Sequence, residues 1–298
     1  MPSWQDFQPF LVTGLALGGV FALSGVGMIV LYRATGVLNL AFGAIGAIGA
    51  MIAWTLVNQA GVPDWAAYLV CVALAGLVTL AYGMIFGPPL SGRDPLVKAA
   101  ATLGVALLLL GLMDLLWTSS GGAARSLTFP TDNLSFTVSQ IQVNWTQVIA
   151  LALGVVITVV TAAFLRFTKL GTAMRAVAND REISSMLGVP MRRVEAAAWL
   201  GCGVLSGVAG VLLADLVALD PTTLTFLVIS ALAAALIAQL RSIALTLVAA
   251  IVVGLVDSML TPITSVSNYR DMTPFVLAIA ALLVIMARRR GVSVSRGA

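Results

Sequence analysis

The sequence has 298 residues, 60% apolar and only 9% charged, with a formal net charge of +4. A soluble protein carries roughly 25% charged residues to solvate its surface, so a mean hydropathy of +1.06 excludes a water-soluble globule, a disordered chain and a coiled coil. What remains is an all-α, polytopic integral membrane bundle. A spanning helix takes ~20 apolar residues, which leaves room for eight or nine spans and short loops, and none for a soluble catalytic domain.

The missing residues narrow the chemistry. There is no histidine, the commonest acid, base and metal ligand, so no metal site is expected. Cys71 and Cys202 each lie inside an apolar run and read as small hydrophobes. In a membrane protein the basic excess anchors the cytoplasmic side and does not imply nucleic acid. Residues 1–9 contain no Lys or Arg, and the first apolar run is too long for the core of a cleavable signal peptide.

Nine apolar runs follow in chain order, at about 10–31, 37–57, 65–86, 98–118, 146–166, 194–219, 222–240, 243–261 and 274–287. Positive charge concentrates in residues 166–193 and at the C-terminus, in Arg288, Arg289 and Arg290. The positive-inside rule makes both cytoplasmic. Threading outward puts Arg33, Arg93, Lys98 and Arg241 inside and loop 119–145 outside. The N-terminus is then outside and the C-terminus cytoplasmic.

The second run, 37–57, is rich in small residues. Gly43, Gly46 and Gly49 recur every third residue, which lets other helices approach closely where lipid supplies no hydrophobic drive. Two readings stand: a tight helix seam, or a broken or re-entrant helix lining a path. Asn39, Phe42, Gly43, Gly46 and Gly49 are the path candidates, because a buried amide at Asn39 needs a partner. Similar seams are expected at Gly14 to Gly18 and Gly203 to Gly207. Asp114, Asp215 and Asp257 fall near the outer ends of their spans and are candidates for an outer vestibule, against hydration at headgroup level.

The loop at about 167–193 carries the clearest local signal. Asn179 reads as an N-cap with Glu182 closing a capping box, Asp180 and Glu182 favour the positive end of the helix dipole, and Gly188 reads as a left-handed C-cap. The helix between them, 180–187, places Ile183, Met186 and Leu187 on one face, rimmed by Arg175, Arg181, Arg192 and Arg193. It is too short to span. An exposed apolar face of this kind calls for a cover, either the membrane surface or a soluble partner. Glu195 is expected to pair with the neighbouring Arg192 or Arg193.

The order Leu170-Gly171-x-Ala173-x-Arg175-Ala176-x-Ala178-x-Asp180, then Leu187-Gly188-Val189, resembles the cytoplasmic loop of ABC-importer permeases, and most of all the branched-chain amino-acid permease family. Thr35-Gly36-Val37-Leu38-Asn39-Leu40-Ala41-Phe42-Gly43, Asn144-Trp145-Thr146-Gln147 and Gly207-Val208-Ala209-Gly210 resemble other stretches of that family. Where members often carry Gly-Gly-x-Gly-Ser, this chain reads Ala238-Gln239-Leu240-Arg241-Ser242.

The resemblance implies one transmembrane permease domain over 1–298 in the inner membrane, without catalytic residues or a bound cofactor. It implies a second permease subunit, two cytoplasmic ATPases that use ATP and Mg, and an extracytoplasmic binding protein. Residues 175–188 would couple to the ATPases. The solute would be a branched-chain amino acid, or a relative such as urea, a short amide or a small carboxylate. A secondary transporter is the alternative, and would need a buried ionisable residue for ion coupling. An intramembrane enzyme is disfavoured by the lack of histidine and of paired carboxylates within one span.

Overall fold

The computed structural model describes residues 4–90, 92–117, 125, 127, 129, 135–138, 141–263 and 272–294, with the backbone alone at 4–6, 138, 141 and 286–294. Most of loop 119–145, Arg270 and the last four residues lie outside the described residues. Among the described residues, six helices are long and apolar enough to cross a membrane: α1 (Trp4–Thr35), α3 (Asp64–Leu90), α4 (Pro95–Trp117), α5 (Trp145–Phe167), α8 (Met191–Leu216) and α11 (Ile243–Leu260). Three apolar stretches are shorter. They are α2 (Phe42–Asn58), the pair α9 (Pro221–Phe226) and α10 (Val228–Ile237), and α12 (Thr273–Val294), whose apolar part ends at Ile285. Two further helices, α6 (Lys169–Asn179) and α7 (Arg181–Met186), fill the basic loop, and β1 (Ser135–Val138) pairs antiparallel with β2 (Ile141–Asn144). This is an all-α, multi-pass membrane protein.

The centre is α1. It is apolar all round and therefore enclosed, packed along α11, α5, α8 and α10. Small residues set these approaches. Gly14 and Gly18 face Gly254 and Ile251 of α11, and Gly203 and Gly207 face Ala75, Thr79 and Val72 of α3. Both expected seams are present. The outside of the bundle is the reverse, with Leu77, Met84, Leu108, Leu115, Val160 and Leu283 all exposed. In water such a belt would drive aggregation; against acyl chains it is the solvated surface.

Two segments depart from the expected single spans. Residues 37–41 are not helical: α1 ends at Thr35, Gly36 takes a left-handed φ of 69°, and α2 begins only at Phe42. The 17 residues of α2 reach about 26 Å, short of the ~30 Å hydrocarbon layer, and the non-helical stretch lengthens the crossing. Several of its backbone groups are paired inside the protein, in keeping with what a membrane demands. The Thr102 hydroxyl accepts from Leu40 N (3.1 Å) and lies within donating distance of Leu38 O (3.0 Å) and Ala99 O (2.8 Å), while Asn39 Oδ1 accepts from Ala41 N (3.1 Å). The seventh run, 222–240, is likewise two helices that meet at Leu227, followed by a turn in which Gln239 and Leu240 both lie at φ 55°.

The start of α5 carries a full capping box. Asn144 Oδ1 accepts from Thr146 N (3.2 Å) and Gln147 Oε1 accepts from Asn144 N (3.3 Å). Gln147 Nε2 also donates to Thr13 Oγ1 (3.3 Å), which ties α5 to α1.

Candidate functional site: an interrupted helix and a protruding basic loop

The three glycines of α2 do not share one seam. Successive helix positions three apart step back about 60° around the axis, so each glycine meets a different neighbour. A Cβ on Gly43 would collide with the carbonyls of Thr225 and Leu224 in α9. One on Gly46 would lie 2.6 Å from Ser206 O of α8, and one on Gly49 would lie 2.7 Å from Cys71 Sγ of α3. The interrupted start of α2 therefore abuts the interrupted pair α9–α10, with α8 closing the third side. Short or broken hydrophobic segments brought together mark the transport path in membrane carriers.

Between them lies a void of about 10 Å³, lined by Ser24, Phe42, Gly43, Ser206, Leu224 and Leu227 among others. That is at the limit of what one water needs, so the space between these helices is closed in this conformation. Its lining is apolar apart from the serine hydroxyls, and the Ser206 hydroxyl donates to Phe42 O (2.5 Å). No lining residue is ionisable. Asn39 sits below, 1% exposed, with its amide nitrogen donating weakly to Cys202 Sγ (3.6 Å).

The three aspartates have separate surroundings. Asp114 is exposed on α4. Asp215, half-buried at the end of α8, accepts from Phe129 N (3.1 Å) and so holds part of the loop before β1. Asp257 is buried in α11, one residue from Ser258, which packs against Gly14 of α1. Through that contact Asp215 fixes the backbone near the end of α8. There Arg125 also stacks on Trp54 (5.2 Å), and its carbonyl accepts from Leu219 N (3.1 Å).

The basic loop folds into two helices that form a lever-shaped arm. The sequence reading missed α6, whose signal was a Thr168 cap and apolar residues at 170, 174 and 177. Thr168 Oγ1 accepts from Gly171 N (2.9 Å), and the buried Met174 and Val177 dock α6 on α5 and α1. Because α6 runs through Asn179, that residue is helical and cannot be the expected cap. Asp180 takes the role instead, extended at φ −153° with Oδ1 accepting from Ile183 N (2.9 Å). Glu182 is consequently in the first turn of α7 but closes no capping box. Leu187 is the C-cap, and Gly188 follows at φ 81°, as its position suggested.

Ser184 turns inward while Ile183, Met186 and Leu187 are 55%, 79% and 78% exposed. Arg175 is held outside this tip by Arg166 O (3.3 Å). Glu195, at the start of α8, pairs with Arg181 and not with Arg192 or Arg193, because the tight corner at 187–190 folds α7 back on α8. The loop is thus bonded to α8, the helix that carries Ser206 and Gly210 against α2.

Residues 10–285 match the family model described as "Branched-chain amino acid transport system / permease component". The chain belongs to this permease family. Among relatives, it is 25% identical to the high-affinity branched-chain amino acid transport system permease protein LivH of Escherichia coli (strain K12), covering 94% of each chain. It is 26% identical to the probable LivH of Methanocaldococcus jannaschii, over 89% of this chain and 86% of that one. A more distant similarity, 29% over 59% of this chain and 51% of the relative, is to the fructose import permease protein FruG of Bifidobacterium longum. The interrupted α2 and the lever are therefore features of a member of a permease family.

Proposed function

We propose that this chain is the membrane subunit of an ABC importer that carries branched-chain amino acids, or a related small polar solute, across the cell membrane. Separate cytoplasmic ATPases power it, a second permease subunit completes the path, and an extracytoplasmic binding protein delivers the solute. The match to LivH relatives over nearly the full chain supports amino acids first, and the similarity to FruG supports a wider set of small polar solutes. In this reading the chain hydrolyses nothing itself, its N-terminus is outside and its C-terminus is cytoplasmic.

One observation carries the reading: three exposed apolar side chains at the tip of a lever that is otherwise tied to the bundle. A hydrophobic anchor with a charged rim is how a small protruding element binds a pocket on a partner. Closure of the ATPases would push α7. The Arg181–Glu195 pair and the corner at Gly188 pass that push to α8, and α6 passes it to α1 and α5. Movement of α8 relative to α2 would then open or shut the void between Gly46 and Ser206.

Leu187→Asp tests this. The residue is exposed, so the chain should fold and insert normally, but a buried unpaired charge at the docked interface costs roughly 3–5 kcal/mol. Loss of ATPase co-purification and of substrate uptake is the expected result. A variant that keeps both sinks the lever.

A further inference from the structure

We propose that the open cleft between the ends of α1, α4 and α6 and the α10–α11 turn holds the phosphate headgroup of an anionic phospholipid. The cleft measures about 1100 Å³ and is lined by Arg33, Lys98, Arg175, Arg181 and Arg241, with no acidic residue among its lining. Of these five cations, Arg181 alone meets a carboxylate among the described residues, that of Glu195. Arg33 donates to the carbonyls of Leu240 (3.4 Å) and Arg241, and Arg175 donates to Arg166 O (3.3 Å). Carbonyls orient a guanidinium without neutralising it. Among the described residues the side chains of Lys98 and Arg241 make no hydrogen bond or ion pair. Like charges crowded around one recess raise its potential and attract an anion.

The position of the cleft selects the kind of anion. It sits at the last turn of α1 and the first turn of α4, both spanning helices, which is headgroup depth. Deeper along α4 than Lys98, Leu103 and Leu107 are 44% and 57% exposed, so apolar surface for an acyl chain lies on the bilayer side of the cationic mouth. Basic recesses between spanning helices on the cytoplasmic side recognise anionic headgroups in this way. The α7 tip protrudes, whereas this cleft is recessed, which suits a small group better than a protein surface. The proposal rests on the cytoplasmic placement of these helix ends, but not on the docking of α7, which the Leu187 variant tests separately.

The experiment uses the purified transporter with whatever subunits co-purify. It is exchanged into equal phosphatidylglycerol and phosphatidylcholine, and the lipid retained is read by native mass spectrometry. Wild type should retain phosphatidylglycerol selectively, and millimolar inorganic phosphate should not displace it. The pair Lys98→Gln/Arg241→Gln should weaken that retention roughly 10- to 30-fold, from the loss of two surface cations. The pair Arg192→Gln/Arg193→Gln, basic but outside the cleft, should leave it unchanged. Any of four results overturns the proposal: no preference for phosphatidylglycerol, equal loss in both pairs, displacement by phosphate alone, or a cleft pair that keeps lipid but loses its ATPase.

Discussion

Asp180 and Asn179 are neighbours with similar capping ability, yet only Asp180 has the extended backbone that lets a side chain cap α7. Removing a cap costs about 1 kcal/mol. Asp180→Ala should therefore loosen α7, detected as faster proteolysis between 180 and 188, whereas Asn179→Ala should match wild type; the opposite order would restore Asn179 as the cap. Gly46 is a second residue whose environment decides its role. A side chain there meets Ser206 O and Gly210 Cα (3.2 Å), backbone that cannot yield, while Gly104 on α4 has open space around it. Leucine at 46 should abolish uptake at normal expression, and leucine at 104 should be tolerated. Equal uptake by the two variants would remove the packing role of α2. The pattern of small residues was legible in the sequence, but the identity of each facing helix was not.

At the scale of elements, the informative feature is how the interruption before α2 is stabilised. Non-helical backbone at this depth needs partners, and Thr102 supplies them from a different helix, 64 residues from Leu38. Thr102→Val keeps the shape but removes the hydroxyl from Leu40 N and Leu38 O. Leaving buried backbone groups unpaired costs roughly 1–3 kcal/mol. The purified protein should unfold at a lower temperature, and uptake should fall because the start of α2 borders the path. An unchanged melting temperature would show that water replaces the hydroxyl. The sequence left two readings of 37–57 open, a seam or a break; the structure shows close approaches to three different helices, and a non-helical stretch before a continuous α2. Glycine spacing reports the seam; the break depends on a threonine that no local pattern links to it. The second interruption, at Leu227, carries no glycine or proline of its own and was read as an ordinary span.

For the whole molecule, the proposed orientation rests on the distribution of Lys and Arg. Single cysteines at Ser135 and Ser293 give the test, and both native thiols are buried, so neither should compete for a membrane-impermeant reagent. From outside intact cells, position 135 should label and position 293 should not. Labelling of both to the same extent refutes the orientation. Ser135 is exposed on β1, so access there is not limited by packing.

Composition alone determined the class of this protein, because 9% charge and 60% apolar residues leave a bilayer as the only compatible solvent. Periodic small residues, the Gly188 stop and the apolar triplet at 183, 186 and 187 are local signals, set by backbone conformation and helix geometry within a few residues. They were readable for that reason. Tertiary structure alone decided which helix each glycine meets, that Asp180 displaces Asn179 as the cap, and that Glu195 reaches Arg181. It also decided that five basic residues from four parts of the chain share one cleft. Each of these depends on contacts between residues distant in sequence or on where a preceding helix ends, and neither is encoded in a local pattern of residue types.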